Sequence, residues 1–303
     1  MIDPETVARI VNFLTGVGLF ALMLATGLRS TWKEVLASLR DIRLAGRSLA
    51  ANFVIVPAIA SGLLWAFQTE PLVAVGFLIL AACPGAPVSP PMTALARGDV
   101  PLAIGQMVLL AGLSAVLSPA LLGLLLRQAP GDHGLSINSL AIIGTLLVAQ
   151  ALPLAIGLSV RQFSPASADW WSRSVGRIAN IVLLAVVVLL LWRERGTMAA
   201  TPARAWFGML LWLALSLVVG WLMGGPARPA RIALALTTGV RNAAVGLVIV
   251  NSSFPGTAAV NAVVSFALVS IVGGLLFAVA LAVLTSDRGI PARGVPVSEE
   301  PAR

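Results

Sequence analysis

Residues 83–91 read Cys-Pro-Gly-Ala-Pro-Val-Ser-Pro-Pro, "CPGAPVSPP", directly after the apolar run "PLVAVGFLILAA" at 71–82. Proline lacks a backbone donor and its ring clashes with the preceding turn. Four prolines around Gly85 therefore cannot form a continuous helix. In hydrocarbon each unsatisfied backbone group costs several kcal/mol, so irregular backbone survives only inside protein or along a wet cavity. A single proline would fit an ordinary kink; Pro84, Pro87, Pro90 and Pro91 with Gly85 predict a true helix interruption.

The surrounding chain supplies the membrane that gives this break its meaning. It has 303 residues, 58% of them hydrophobic and only 11% charged, with mean hydropathy +0.97. A soluble domain carries roughly 25% charged residues. The net charge of +8 is scattered between apolar runs and forms no basic stripe, which argues against nucleic acid. One cysteine, Cys83, and one histidine, His133, leave no disulfide framework and no Cys/His metal motif. No enzyme, cofactor or metal site is expected, and the partners expected are a small solute and the lipid bilayer.

Nine apolar segments are long enough to span about 30 Å of hydrocarbon: A 6–28, B 44–67, C 70–97, D 100–126, E 137–160, F 172–193, G 203–224, H 228–252 and I 257–284. They form one transmembrane domain, 1–285, without a soluble domain. The hydrophilic stretch 29–43 reads as an interfacial amphipathic helix. The tail 286–303, rich in Pro, Gly and charge, reads as disordered. Asp3 and Glu5 stand where a signal peptide would be basic, so no cleaved leader is expected. Fourteen Lys/Arg fall on one side of this arrangement and five on the other, with Arg241 on neither. The positive-inside rule then places the N-terminus outside and the C-terminus in the cytoplasm of an inner (plasma) membrane. Trp32, Trp65, Trp170, Trp171, Trp192 and Trp221 lie near segment ends, as interfacial anchors do.

A second polar knot, Thr237, Thr238, Gly239, Arg241 and Asn242, interrupts segment H. Both breaks lie in the next-to-last segment of their half. If A–D (6–126) match F–I (within 137–284), the halves are inverted, and two broken helices cross at a midplane site as in secondary transporters. Positive half-helix N-termini at such a crossing favour an anion.

At this point the chain resembles a known family. "CPGAPVSPPMTALARGD", with "LSP" at 117–119, looks like the first crossing of the bile acid:sodium symporter family. "TTGVRN" at 237–242 resembles that family's second crossing, Glu-x-Gly-x-Gln-Asn, and "ANFVIVP" at 51–57 its Gln-Phe helix. The resemblance runs from segment A to segment I. It implies an all-helical fold of core and panel domains with two discontinuous crossing helices; bacterial members often have ten spans, and this chain is expected to lack the first, giving nine as in the animal members. It also implies sodium ligands, and these are where the chain departs. The family Glu is Thr237 here, and the Gln is Arg241. The Asn following Ser89 is Pro90. The hydroxyl positions of segment D are Ala103 and Met107. The third-helix Gln is Asn52.

All twelve Asp and Glu fall in loops, tails or segment ends. Hard cations want oxygen ligands, usually with carboxylate charge, so neither a sodium cage nor an acidic proton relay is expected. Arg241 is the one charge well inside a segment, a position that costs about 2.5 kcal/mol or more. It needs a partner: backbone carbonyls at the break, Asn52, or an anionic ligand. A structural role, plugging the old sodium site, and a direct role on an anionic substrate are both open to it. The expected substrate-binding residues are Ser89, Thr237, Thr238, Arg241, Asn242 and Asn52. Asn12, Gln106, Gln150, Asn180 and Ser270 are weaker candidates. The expected function is alternating-access transport of a small or amphipathic organic anion, with sodium coupling lost. A sodium-coupled symporter and a passive anion channel are the alternatives.

Overall fold

The computed structural model describes residues 4–127 and 139–286. His133 and the tail from 287 lie outside the described residues. Every regular element in the described chain is helical. Among the described residues, eight helical stretches are long and apolar enough to cross a membrane: Arg9–Arg29, Ile42–Ala66, Val100–Leu126, Leu140–Phe163, Pro165–Trp192, Ala203–Met223, Arg228–Ser253 and Ala258–Leu284. Segment C is represented by the shorter apolar helix Pro71–Ala82, because its break comes early.

The first helix, α1 (Pro4–Arg29), is followed by the expected amphipathic helix, α2 (Trp32–Arg40). Thr31 and Glu34 close its N-terminus as a capping box: each side chain takes a backbone N–H of the other's end. Asp41 then caps α3 (Ile42–Ala50), and a π turn, Ala51–Ile55, leads into α4 (Val56–Ala66). A second π turn, Leu147–Ala151, joins α8 (Ser139–Leu146) to α9 (Leu152–Phe163). Both π turns stand just before a proline, Pro57 and Pro153. A helical proline ring clashes with the carbonyl four residues back, and in both cases that residue, Phe53 or Ala149, lies within the π turn. The widened turn accommodates the ring and keeps the span continuous.

Segment F is longer than hydropathy implied: α10 runs Pro165–Ala200. Its polar first turns continue the helix beyond any apolar core, and Asp169 pairs there with Arg161 of α9 at 2.5 Å. The remaining helices are α5 (Pro71–Ala82), α6 (Ser89–Leu95), α7 (Val100–Leu126), α11 (Ala203–Met223), α12 (Arg228–Gly239), α13 (Ala243–Ser253) and α14 (Ala258–Ser286).

Packing gathers α1 with α9 and α10, whereas α5, α7, α12, α13 and α14 pack among themselves, with α11 on α12 and α4. Between the two sets, α1 touches α13, α10 touches α14, and α8 with its π turn touches α7. Small residues permit the closest approach. Gly27 of α1 and Gly157 of α9 face each other, and a Cβ on Gly157 would lie 2.5 Å from the Leu24 carbonyl. Without a hydrophobic drive between helices in lipid, helices associate through van der Waals packing and interhelical hydrogen bonds, and small residues let the backbones come this close. Trp32 and Trp65 near helix ends, and Trp170, Trp171 and Trp192 toward the ends of the apolar span Pro165–Trp192, are all exposed, as anchors at a membrane boundary require.

Candidate functional site: the meeting of two helix breaks

The first break runs from Cys83 to Val88. Pro84 disfavours helical geometry in the residue before it, and Cys83 accordingly leaves α5 at φ −110°, ψ 74°. Gly85 then adopts φ +83°, a left-handed conformation that glycine takes without steric cost. A Cβ here would also fall 2.5 Å from the backbone nitrogen of Ala111 on α7, so both the angle and the space call for glycine. Pro90 and Pro91 sit in the first turn of α6, where proline costs no hydrogen bond. The second break is shorter. Helix α12 ends at Gly239, Val240 is extended (φ −91°, ψ 121°), and α13 starts at Ala243 with Asn242 as its cap, accepting the Val245 N–H at 3.3 Å.

The two breaks touch. The Asn242 backbone N–H donates to the Cys83 carbonyl at 2.9 Å, and its side-chain Nδ2 donates to the Gly85 carbonyl at 3.2 Å. One residue of the second break thus satisfies two carbonyls that the first break frees. Ser118 of α7 donates to the last carbonyl of α5, Ala82. This accounts for three carbonyls that would otherwise be stranded in an apolar interior.

Arg241 lies beside this junction, 2% exposed. Its Nη1 donates to Asn52 Oδ1 at 3.1 Å. Asn52, in the π turn before α4, donates in turn to the Ser48 carbonyl at 3.0 Å and to Thr238 Oγ1 at 3.2 Å. Arg241, Asn52 and Thr238 therefore form one buried chain of contacts. The Nε and Nη2 donors of Arg241 have no partner. The carboxylates of Glu34, Asp41, Glu70, Asp99 and Asp169 all stand at helix ends or in first turns, and no ion pair to Arg241 occurs among the described residues. No cluster of His, Cys, Asp or Glu that could hold a metal occurs among them either.

The other expected residues are buried and bond to backbone three or four residues before them. Thr237 donates to the Ala233 carbonyl at 2.9 Å, and Ser89 to the Ala86 carbonyl at 2.8 Å. Ala103 and Met107, at positions where the family resemblance implies hydroxyls, are buried and carry no oxygen. Gln106, expected only weakly, is fully buried with both amide atoms unpartnered. Gln150 bridges α8's π turn to α7, donating to the Ala111 carbonyl and to Ser114 Oγ, the latter at 2.7 Å. Its residue type was visible in the sequence, its partners were not. In this conformation the junction is sealed: Ser89, Thr237 and Thr238 are 0% exposed. A cavity of about 360 Å³ lies elsewhere, between α4, α5, α11 and α14.

Interrupted helices meeting inside a multi-pass bundle are the means by which solute carriers place backbone groups at membrane depth, and the class here is a membrane transporter. Residues 16–201, more than half of the chain, match the Sodium Bile acid symporter family, and the chain belongs to it. It is not an enzyme family. Among similar proteins, one from Bacillus subtilis named "Uncharacterized sodium-dependent transporter YocS" is 22% identical over 213 residues, covering 69% of this chain and 65% of the relative. A rice protein (Oryza sativa subsp. japonica) named "Probable sodium/metabolite cotransporter BASS2, chloroplastic" is 22% identical over 299 residues, covering 95% of this chain and 68% of the relative. "Uncharacterized protein PA2026" of Pseudomonas aeruginosa is 29% identical over 159 residues, 52% of this chain and 46% of the relative. The chain thus spans about two thirds or less of these relatives' own length.

Proposed function

We propose that the chain is a secondary carrier of a small or amphipathic organic anion, working by alternating access and without sodium coupling. The observation that carries this reading is the buried Arg241 guanidinium, which keeps two donors unfilled and has no carboxylate partner among the described residues. A buried cation without a counter-charge is costly, and a carboxylate ligand would supply both the charge and the missing acceptors through charge-assisted hydrogen bonds. In this reading α1 with α8–α10 is the panel that moves against a core of the other helices. The two breaks belong to inverted repeats, 6–126 and 137–284, of a nine-span fold with the N-terminus outside and the C-terminus cytoplasmic. Ser89, Thr237, Thr238, Asn242 and Asn52 line the site around Arg241, and the sealed junction is an occluded state.

The printed names of two relatives include sodium, which favours a second reading, a sodium-coupled symporter. The residues of this chain speak against it. A sodium ion about 4 Å from Arg241 would meet a repulsion of roughly 4 kcal/mol at an effective dielectric of 20, with no buried carboxylate among the described residues to offset it. The test is a thermal-shift screen of carboxylates and sterol acids in sodium-free buffer. At least one anion should stabilise the wild type, and Arg241→Gln should weaken it about 10- to 100-fold, the scale of a hydrogen bond to a charged group. Equal stabilisation of both proteins would remove Arg241 from the site.

A further inference from the structure

We propose that the 360 Å³ cavity between α4, α5, α11 and α14 holds one acyl chain of a zwitterionic phospholipid, with the headgroup bridging Arg204 and Glu70. The cavity opens where all four helices begin or end: α4 stops at Ala66, α5 starts at Pro71, α11 at Ala203 and α14 at Ala258. Its lining reaches Phe77, Trp212 and Ser265. At 1.5 Å per residue these lie about 9–14 Å below the helix starts. Its volume falls within the roughly 300–1,000 Å³ of small-molecule sites.

The body of the cavity is apolar and stiff. Phe77 and Trp212 meet edge to face at 5.8 Å, and Phe266 stacks on Trp212 at 4.1 Å. The mouth is different in kind. Arg204 and Glu70 both line it, both are exposed, and neither makes an ion pair among the described residues. Asn261 also lines it, and its buried Oδ1 has no donor. Arg204 suits a phosphate; Glu70 and Asn261 Oδ1 suit an ammonium. A simple carboxylate amphiphile would meet Glu70 with like charge, so the paired signs favour a head that carries both. The source is the bilayer: Trp65 and Phe207, 71% and 60% exposed, flank the same helix ends, and such aromatics mark the headgroup level. This site is separate from the junction of the breaks and stands or falls independently of the transport reading.

The experiment places the protein in nanodiscs of unlabelled phosphatidylglycerol and adds phosphatidylethanolamine or phosphatidylglycerol with brominated acyl chains. Bromine quenches tryptophan on contact, and the difference between wild type and Trp212→Phe isolates Trp212, which is only 2% exposed. Brominated phosphatidylethanolamine should quench Trp212. Brominated phosphatidylglycerol should need about two- to fivefold more lipid for the same quenching, the scale of an exposed charge pair, and Arg204→Gln with Glu70→Gln should abolish that preference. Gly208→Leu should remove the quenching, since a side chain there projects toward Phe67, 3.9 Å from a Cβ. Native mass spectrometry of lipid retained by the wild type and the exposed double variant gives the same comparison without altering Trp212. Unquenched Trp212, equal quenching by the two headgroups, or quenching that survives Gly208→Leu would each overturn the proposal.

Discussion

Arg241 of the second break donates to Asn52 of the π turn before α4 at 3.1 Å, across 189 residues of sequence. Asn52 is the guanidinium's one hydrogen-bond acceptor among the described residues, and Thr238 is held by the same amide. A structural Arg and a ligand-binding Arg can be told apart by the energetics of this pair. A double-mutant cycle of Arg241→Gln and Asn52→Leu should show a coupling above about 1 kcal/mol, since hydrogen bonds to charged groups are worth roughly 1.5–3 kcal/mol. Arg241→Gln alone should leave the ligand-free protein as stable or more stable, because it removes an uncompensated buried charge. Denaturation in mixed detergent measures both. A large loss of stability in Arg241→Gln would assign the residue to scaffolding.

Gln150 gives the second prediction. It is fully buried, joins the helix set of α1, α9 and α10 to α7, and donates to the carbonyl of Ala111, the residue whose backbone packs on Gly85. If the two sets slide during transport, these bonds break. Interhelical hydrogen bonds in membranes are worth about 0.6 kcal/mol each, so losing two should raise the open population about five- to tenfold. Cys83, the sole cysteine of the chain and fully buried at the first break, reports it. Gln150→Leu should speed its modification by a membrane-impermeant maleimide by that factor. An unchanged rate would show that Gln150 is no latch.

The readings from sequence succeeded where the chemistry is local. Proline and glycine act on their own backbone, so both helix breaks were legible, and the first falls within the residues that "CPGAPVSPP" marks. Hydropathy located the eight long apolar helices but not their ends: α10 extends to Pro165 because its polar first turns are good helix that needs no lipid. The π turns were not foreseen, since they answer a clash between Pro57 or Pro153 and a carbonyl one turn back. The bond from Asn242 to the Gly85 carbonyl joins residues 157 apart, and the cavity is walled by four helices. Neither leaves a pattern in any one segment. Arg241 was conspicuous as the one charge inside a span, and Asn52 was among its expected partners. Its two empty donors required coordinates.

The proposed orientation rests on the Lys/Arg asymmetry of fourteen to five. Reporter fusions after Arg288 should read cytoplasmic, and fusions near Glu70 external. An external C-terminus would contradict both the span count and the assigned sides of the site.

The most direct measurement is uptake of the stabilising anion into proteoliposomes with all sodium replaced by choline. Arg241 supplies a fixed positive charge where the family resemblance implies a sodium ligand, so wild-type uptake should be unchanged by the replacement. The double variant Arg241→Gln with Thr237→Glu, which restores the family's residue types at those positions, should make uptake respond to sodium. A wild type that stops transporting in choline would contradict the account, because sodium would then bind despite the guanidinium.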